Sequence, residues 1–215
     1  MQITLHPEDG VRVAVPVRVG ANHVRQFVME RAGWIVRRQL EAEARPRALR
    51  FVTGERISFL GKKLRIRVDE VDCARVSVKL EEPRLRINVP YEMIGAERKA
   101  AIKRAVAQWY MKRGQTILNR RAAYWGERMD LEPAKVIAKE QRSQWGSCSH
   151  DGTLRFNWRI VMAEPELIDY VVVHELLHLR VRNHSPRYRA DFARIMPDYR
   201  ARELRLNEFG RQLSV

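Results

Sequence analysis

The chain has 215 residues and 45% hydrophobic content, enough for a sizeable core in one domain or two tightly joined lobes. Its formal net charge of +15 is spread along the sequence without a basic tail, so it favours anionic partners. Two cysteines make no disulfide framework, and no apolar run approaches the ~18 residues of a membrane helix.

Residues 2–5 and 11–17 alternate as strands around a turn at 8–10. Val24, Phe27, Val28, Ala32, Ile35 and Leu40 form the apolar stripe of a helix over 22–44, with Gly33 as a kink point. Three short strands are expected at 63–68, 75–79 and 84–89, with Glu81, Glu82 and Pro83 in a turn. A long amphipathic helix over 96–129 turns Ile102, Val106, Trp109, Ile117 and Tyr124 inward. Residues 135–142 and 153–158 read as a hairpin pair across 149–152. Glu164-Pro165-Glu166 opens a helix: proline suits its first position and the acids suit its positive end. From 167 to 179 that helix is apolar on nearly every side, which predicts burial. Two more helices are expected at 186–195 and 199–213. With no repeat and no Gly/Ser linker, the expected architecture is one compact α+β unit. It has a β-rich N-terminal lobe at 1–95, containing one helix, and a helical lobe at 96–215.

The buried helix carries the chemistry. His174 and His178 are four apart, so they share one helical face, and Glu175 is adjacent. H-E-x-x-H is the zinc-hydrolase signature: two neutral imidazoles bind the metal, and the Glu acts as general base toward water. A third ligand is needed, and His184 is the candidate. On a continuous helix it would lie about 9 Å beyond His178, too far to share an ion. The helix must therefore stop. Ser185-Pro186 reads as the cap and first residue of a new helix, and Asn183 suits a left-handed helix end. Asp191 is an alternative ligand further along.

These residues, with Gln144-Trp145-Gly146-Ser147-Cys148-Ser149, the stretch from Gly152 to Arg159 and that from Glu164 to Tyr170, resemble the YgjP-like, SprT-like family of metal-dependent hydrolases. The resemblance covers most of the chain and is strongest over 135–200. It implies a zincin-like C-terminal half, Zn2+ on His174, His178 and His184, and Glu175 as the catalytic residue. Two positions depart from the family pattern: Gln144 stands where Arg is usual, and Tyr188 where Phe or Trp is usual. The ligand spacing also equals that of metzincins, but their glycine is Val181 here.

Three functions fit these observations. The first is a zinc-dependent peptidase, in which 153–158 forms the cleft rim and pairs with an extended peptide. The second keeps the metal site and hydrolyses a nucleoside triphosphate. The third is a non-catalytic nucleic-acid-binding module with structural zinc. Glu175 and the three evident ligands argue against the third, because structural sites are usually four-coordinate. Arg155, Arg159, Arg180, Arg182, Arg187 and Arg189 fall near the predicted cleft and favour an anionic peptide or nucleotide substrate. Nucleic acid is a further candidate partner, although no zinc-finger, RRM, KH or zipper pattern is present. Tyr188 is a candidate oxyanion donor. The start of the chain lacks a basic region followed by an apolar one, so the expected address is the cytosol, without a membrane partner and with Cys73 and Cys148 reduced.

Overall fold

The computed structural model describes residues 1–6, 10–16, 19–36, 49–141 and 143–213. They form the mixed α+β fold expected, with strands dominating the first half and helices the second. The chain divides into two compact units, Met1–Ala48 with Arg211–Val215, and Leu49–Gly210. The boundary expected near 95 falls inside the second unit, because the strands before it pack on the long helix after it.

In the first unit, β1 (Gln2–His6) and β2 (Gly10–Ala14) pair antiparallel. The connecting turn lies outside the described residues. Helix α1 spans Ala21–Glu30 and is interrupted at Arg31, two residues before the Gly33 expected to kink it. The chain is helical again over 32–36, and the rest of the expected helix, Leu40 included, lies outside the described residues.

The second unit begins with a four-stranded sheet of order β3-β4-β6-β5, made by Arg56–Phe59, Lys62–Val71, Arg84–Pro90 and Ser77–Glu81. Strand β3 escaped the sequence reading because four residues give too short an alternation. Leu64, Ile66, Leu85, Ile87 and Val89 alternate inward and are at most 2% exposed. They face α2 (Gly95–Met129), whose Ile102, Val106, Trp109 and Leu118 are buried. Tyr110 ties three elements together. Its hydroxyl donates to the Ser58 carbonyl at 2.6 Å, and its ring stacks on Trp158. Tyr124, expected inward, is instead exposed and lies under the guanidinium of Arg128, a favourable cation–π position.

A second sheet has the order β7-β9-β8, from Lys135–Lys139, Thr153–Asn157 and Gly146–Cys148. Here the expected hairpin is corrected. Strands β7 and β9 run parallel, and the hairpin across 149–152 joins β9 to the short β8. The stretch expected at the cleft rim, β9, is therefore the central strand, and β8 is the edge.

A 3-10 turn over Trp158–Met162 leads into α3 (Pro165–Leu177), followed by α4 (Pro186–Ile195) and α5 (Tyr199–Gln212). Arg121 of α2 grips Asp169 of α3 with two hydrogen bonds, and Arg205 of α5 pairs with Glu164 and Glu166. The metal-motif helix is thus tied to both α2 and α5. No helix among the described residues is long and apolar enough to cross a membrane.

Candidate metal centre and active site

Helix α3 buries Leu167, Ile168, Val171, Val172, Val173, Leu176 and Leu177, and this burial sets the rotation that aims His174 into a cavity. The helix ends at Leu177, and His178 still holds helical φ and ψ as its cap. The face shared by His174 and His178 therefore survives to the last turn. The chain leaves through hydrogen bonds from Leu179 to Leu176 and from Arg180 to Leu177, not through a left-handed Asn183, which has no positive φ. Ser185 then caps α4, accepting from the Tyr188 amide, with Pro186 in the first turn. This break returns His184 to the pair.

The three ligand nitrogens lie within 4.8 Å of one another. His174 Nε2 is 3.3 Å from His178 Nε2 and 3.1 Å from His184 Nε2. A neutral imidazole carries one proton, so these nitrogens cannot satisfy each other in full. His178 Nδ1–H donates to the Val181 carbonyl at 3.0 Å, which directs the lone pair of its Nε2 into the cluster. Burial, then His178 and His184, push the His174 pKa down to about 3, so His174 stays a neutral imidazole near pH 7, the form that binds a metal. Three ring nitrogens converging this closely form a group that could hold a cation. Asp191 takes no part: it pairs with Arg194 at 2.6 Å.

Glu175 faces the same cavity. It is 4% exposed, and burial raises its pKa to about 8. Its neighbour is β8. A Cβ built on Gly146 would sit 2.6 Å from Glu175 Oε1, so the absence of a side chain at 146 is what lets the carboxylate lie against this strand. The cavity of about 470 Å³ is lined by β8, by Tyr170, His174, Glu175, His178 and His184, and by Glu203 and Asn207 of α5.

Gln144, standing where the family usually has Arg, lines this cavity as well. Of the arginines expected at the cleft, Arg182 alone lines it. Its guanidinium donates to the Ser149 carbonyl at 2.9 Å and lies 3.4 Å from Cys148 Sγ. The others have separate positions. Arg155 donates to Ser149 Oγ, Arg159 pairs with Glu140 and covers Trp158, and Arg180 donates to the Met129 carbonyl. Arg187 and Arg189 are exposed outside the lining. Tyr188 is 2% exposed; its hydroxyl donates to the His174 carbonyl and its ring stacks on His178, so it braces the ligands. Burial pushes the Cys148 thiol up, with Arg182 opposing, and its sulfur is not among the clustered ligand atoms.

The family model of the YgjP-like metallopeptidase domain matches residues 1–209. The chain belongs to the YgjP-like family. At family level it is therefore an enzyme of the metallopeptidase, or metallohydrolase, kind, and the three-histidine cluster is the group suited to its metal ion. Among solved structures, the crystal structure of the metallopeptidase zymogen of Methanocaldococcus jannaschii jannalysin is similar to it at 20% identity. That match covers 42% of this chain and 88% of the other, with a TM-score of 0.39. The comparison with curated proteins found no match. Reasoning from sequence singled out the three histidines and Glu175, which the structure brings to one cavity, but not Gly146, Tyr170 and Glu203, which line it as well. A glycine in a short strand signals close approach of another group, which is the one clue to Gly146. Glu203 is brought in by helix packing alone.

Proposed function

We propose that this chain is a zinc-dependent peptidase that takes its substrate as an extended strand along β8. The observation that carries this reading is the position of the open sheet edge beside the histidine cluster and Glu175, within one cavity. The Asn157 amide donates to the Trp145 carbonyl and the Ser149 amide to the Thr153 carbonyl, so alternate residues of β8 face β9. The backbone groups of Gly146 and Cys148 are left on the open edge. An extended peptide satisfies such groups by adding a strand.

His174, His178 and His184 would hold the ion, and three imidazoles with borderline-soft nitrogen donors fit zinc better than magnesium or calcium. Zinc there supplies Lewis acidity, polarising a carbonyl and bringing the pKa of water to about 7. Glu175 is the general base. Burial makes its carboxylate hold a proton more firmly than an exposed glutamate does, so it can take one from water and pass it to the leaving amine. Tyr188 and the Val181 carbonyl orient His174 and His178. The nucleoside triphosphate reading has less support. Arg155, Arg159 and Arg180 are engaged elsewhere, and Glu203 brings negative charge into the cavity.

The test loads parent and Glu175→Gln with zinc and offers unfolded casein and nucleoside triphosphates in parallel. Casein cleavage by the parent, at least ~10²-fold slower in the variant at equal zinc content, is the expected result. Turnover of the triphosphates without cleavage of casein would replace the peptidase reading.

A further inference from the structure

We propose that the outer face of the four-stranded sheet is a docking surface for the phosphate backbone of duplex nucleic acid. This face lies on the opposite side of the sheet from Leu64, Ile66, Leu85 and Ile87, which pack inward. The strand register sets three arginines abreast across it. Arg56 of β3 pairs with Arg65 of β4, and Arg65 pairs with Arg84 of β6. Beside that row, Arg67 pairs with Arg86 in the same way. Neighbouring strands are about 4.8 Å apart, so the three guanidinium stems of the first row leave the backbone within about 10 Å of one another.

Like charges directly opposite each other on a sheet are destabilising. A fold that needed only solubility would disperse them. Of the acidic residues on this face, Glu81 stands opposite Arg84 in the register at the end of the first row, but neither it nor Asp69 makes an ion pair with Arg56, Arg65 or Arg84. Asp69 pairs with Arg67 and Arg86, and Glu81 with Lys79 and Arg86. Arg56, Arg65 and Arg84 are exposed, and among the described residues none gives their guanidinium groups a hydrogen bond or ion pair. Three open guanidinium forks in a row suit the bidentate geometry of phosphate oxygens.

The rest of the face selects among polyanions. It carries no aromatic residue, so it has nothing on which unstacked bases of a single strand could stack. Its outward apolar positions, Val71 and Pro90, pair with each other at the opposite end of the strands from the arginine row, so the row itself offers nothing to enter a bilayer or to pack against an acidic peptide. What remains is sequence-independent contact with backbone phosphates, the mode a duplex offers at high charge density. The surface is made of residues apart from the metal cavity, so the inference stands whether or not the peptidase reading holds.

The test is fluorescence anisotropy of the full chain with a labelled DNA duplex, titrated across salt. Arg56→Ser, Arg65→Ser and Arg84→Ser are combined in one variant. A second variant replaces all three by Lys. A control, Lys99→Ser with Lys103→Ser and Arg104→Ser on exposed positions of α2, removes the same charge elsewhere. The parent is expected to bind with a steep salt dependence. The serine variant should bind at least ~10-fold more weakly, with a slope of log K against log salt shallower by about 3, one unit for each lost phosphate contact. The lysine variant should keep most of the slope, and the control should behave like the parent. Any of four results would overturn the proposal: no duplex binding by the parent, a serine variant equal to it, an equal loss in the control, or equal binding of polyglutamate or phosphatidylserine vesicles.

Discussion

Replacing Gly146 by Ala isolates the placement of one carboxylate. The added Cβ would lie 2.6 Å from Glu175 Oε1, 2.7 Å from Cγ and 2.9 Å from Cδ. Ordinary contact begins near 3.4 Å, so the carboxylate must retreat by about 0.8 Å. The clashing atoms belong to the end of a side chain rather than to backbone, and that end can move. Overpacking of this kind costs about 1–3 kcal/mol of stability. Displacing a reacting group by about 1 Å costs on the order of 10²-fold in rate. The three atoms nearest the new methyl all belong to Glu175, so the clash falls on the carboxylate and zinc content should be unchanged. Gly146→Ala should therefore lose roughly two orders of magnitude in casein cleavage while keeping its metal and most of its thermal stability. Zinc content, thermal unfolding and initial rates on one preparation decide it. Activity within about threefold of the parent would show that the position of Glu175 against β8 is not what the glycine serves. Loss of zinc together with activity would make Gly146 a support of the metal centre instead.

His184→Ala should abolish tight zinc binding, since a catalytic zinc site rests on three protein ligands; metal analysis showing undiminished zinc would remove His184 from the centre. The metal-free protein should be most stable at mildly acidic pH. Glu175 keeps in the native state a proton that the unfolded chain releases near 4.5, so stability falls as pH rises from there to about 8. His174 refuses in the native state a proton that the unfolded chain takes up near 6.5, so stability also falls from there toward about 3. Urea unfolding of chelator-stripped protein at several pH values should show both flanks, and Glu175→Gln should flatten the alkaline one; a parent with no alkaline decline refutes the assignment. Arg121→Ala leaves Asp169, with only 13% of its side chain exposed, without its cation and should cost about 2 kcal/mol by denaturant unfolding; a change under about 0.5 kcal/mol would mean that the clamp on α3 is dispensable.

The histidines were legible because their spacing is a local property. Four residues on a helix fix a shared face, and a Ser-Pro pair fixes where that helix must end, whatever the rest of the chain does. The apolar runs of α2 and α3 were legible for the same reason: a period of 3.6 over many residues survives any packing. Partners distant in sequence were decided by tertiary structure alone. Strand pairing depends on which hydrogen-bonding edges meet, so residues 153–157 became a central strand and the three residues of β8 became the cleft edge. Arginines near the cleft in sequence found a hydroxyl, a carbonyl and a carboxylate as partners, since a long side chain goes to the nearest unsatisfied acceptor rather than to its sequence neighbours. Tyr124 turned outward because one face of a helix cannot hold every aromatic that its period allows. Two juxtapositions came only from folding: Gly146 beneath Glu175, and Arg56, Arg65 and Arg84 in one row across three strands. Each is set by register and close approach between distant segments, and no local pattern encodes either.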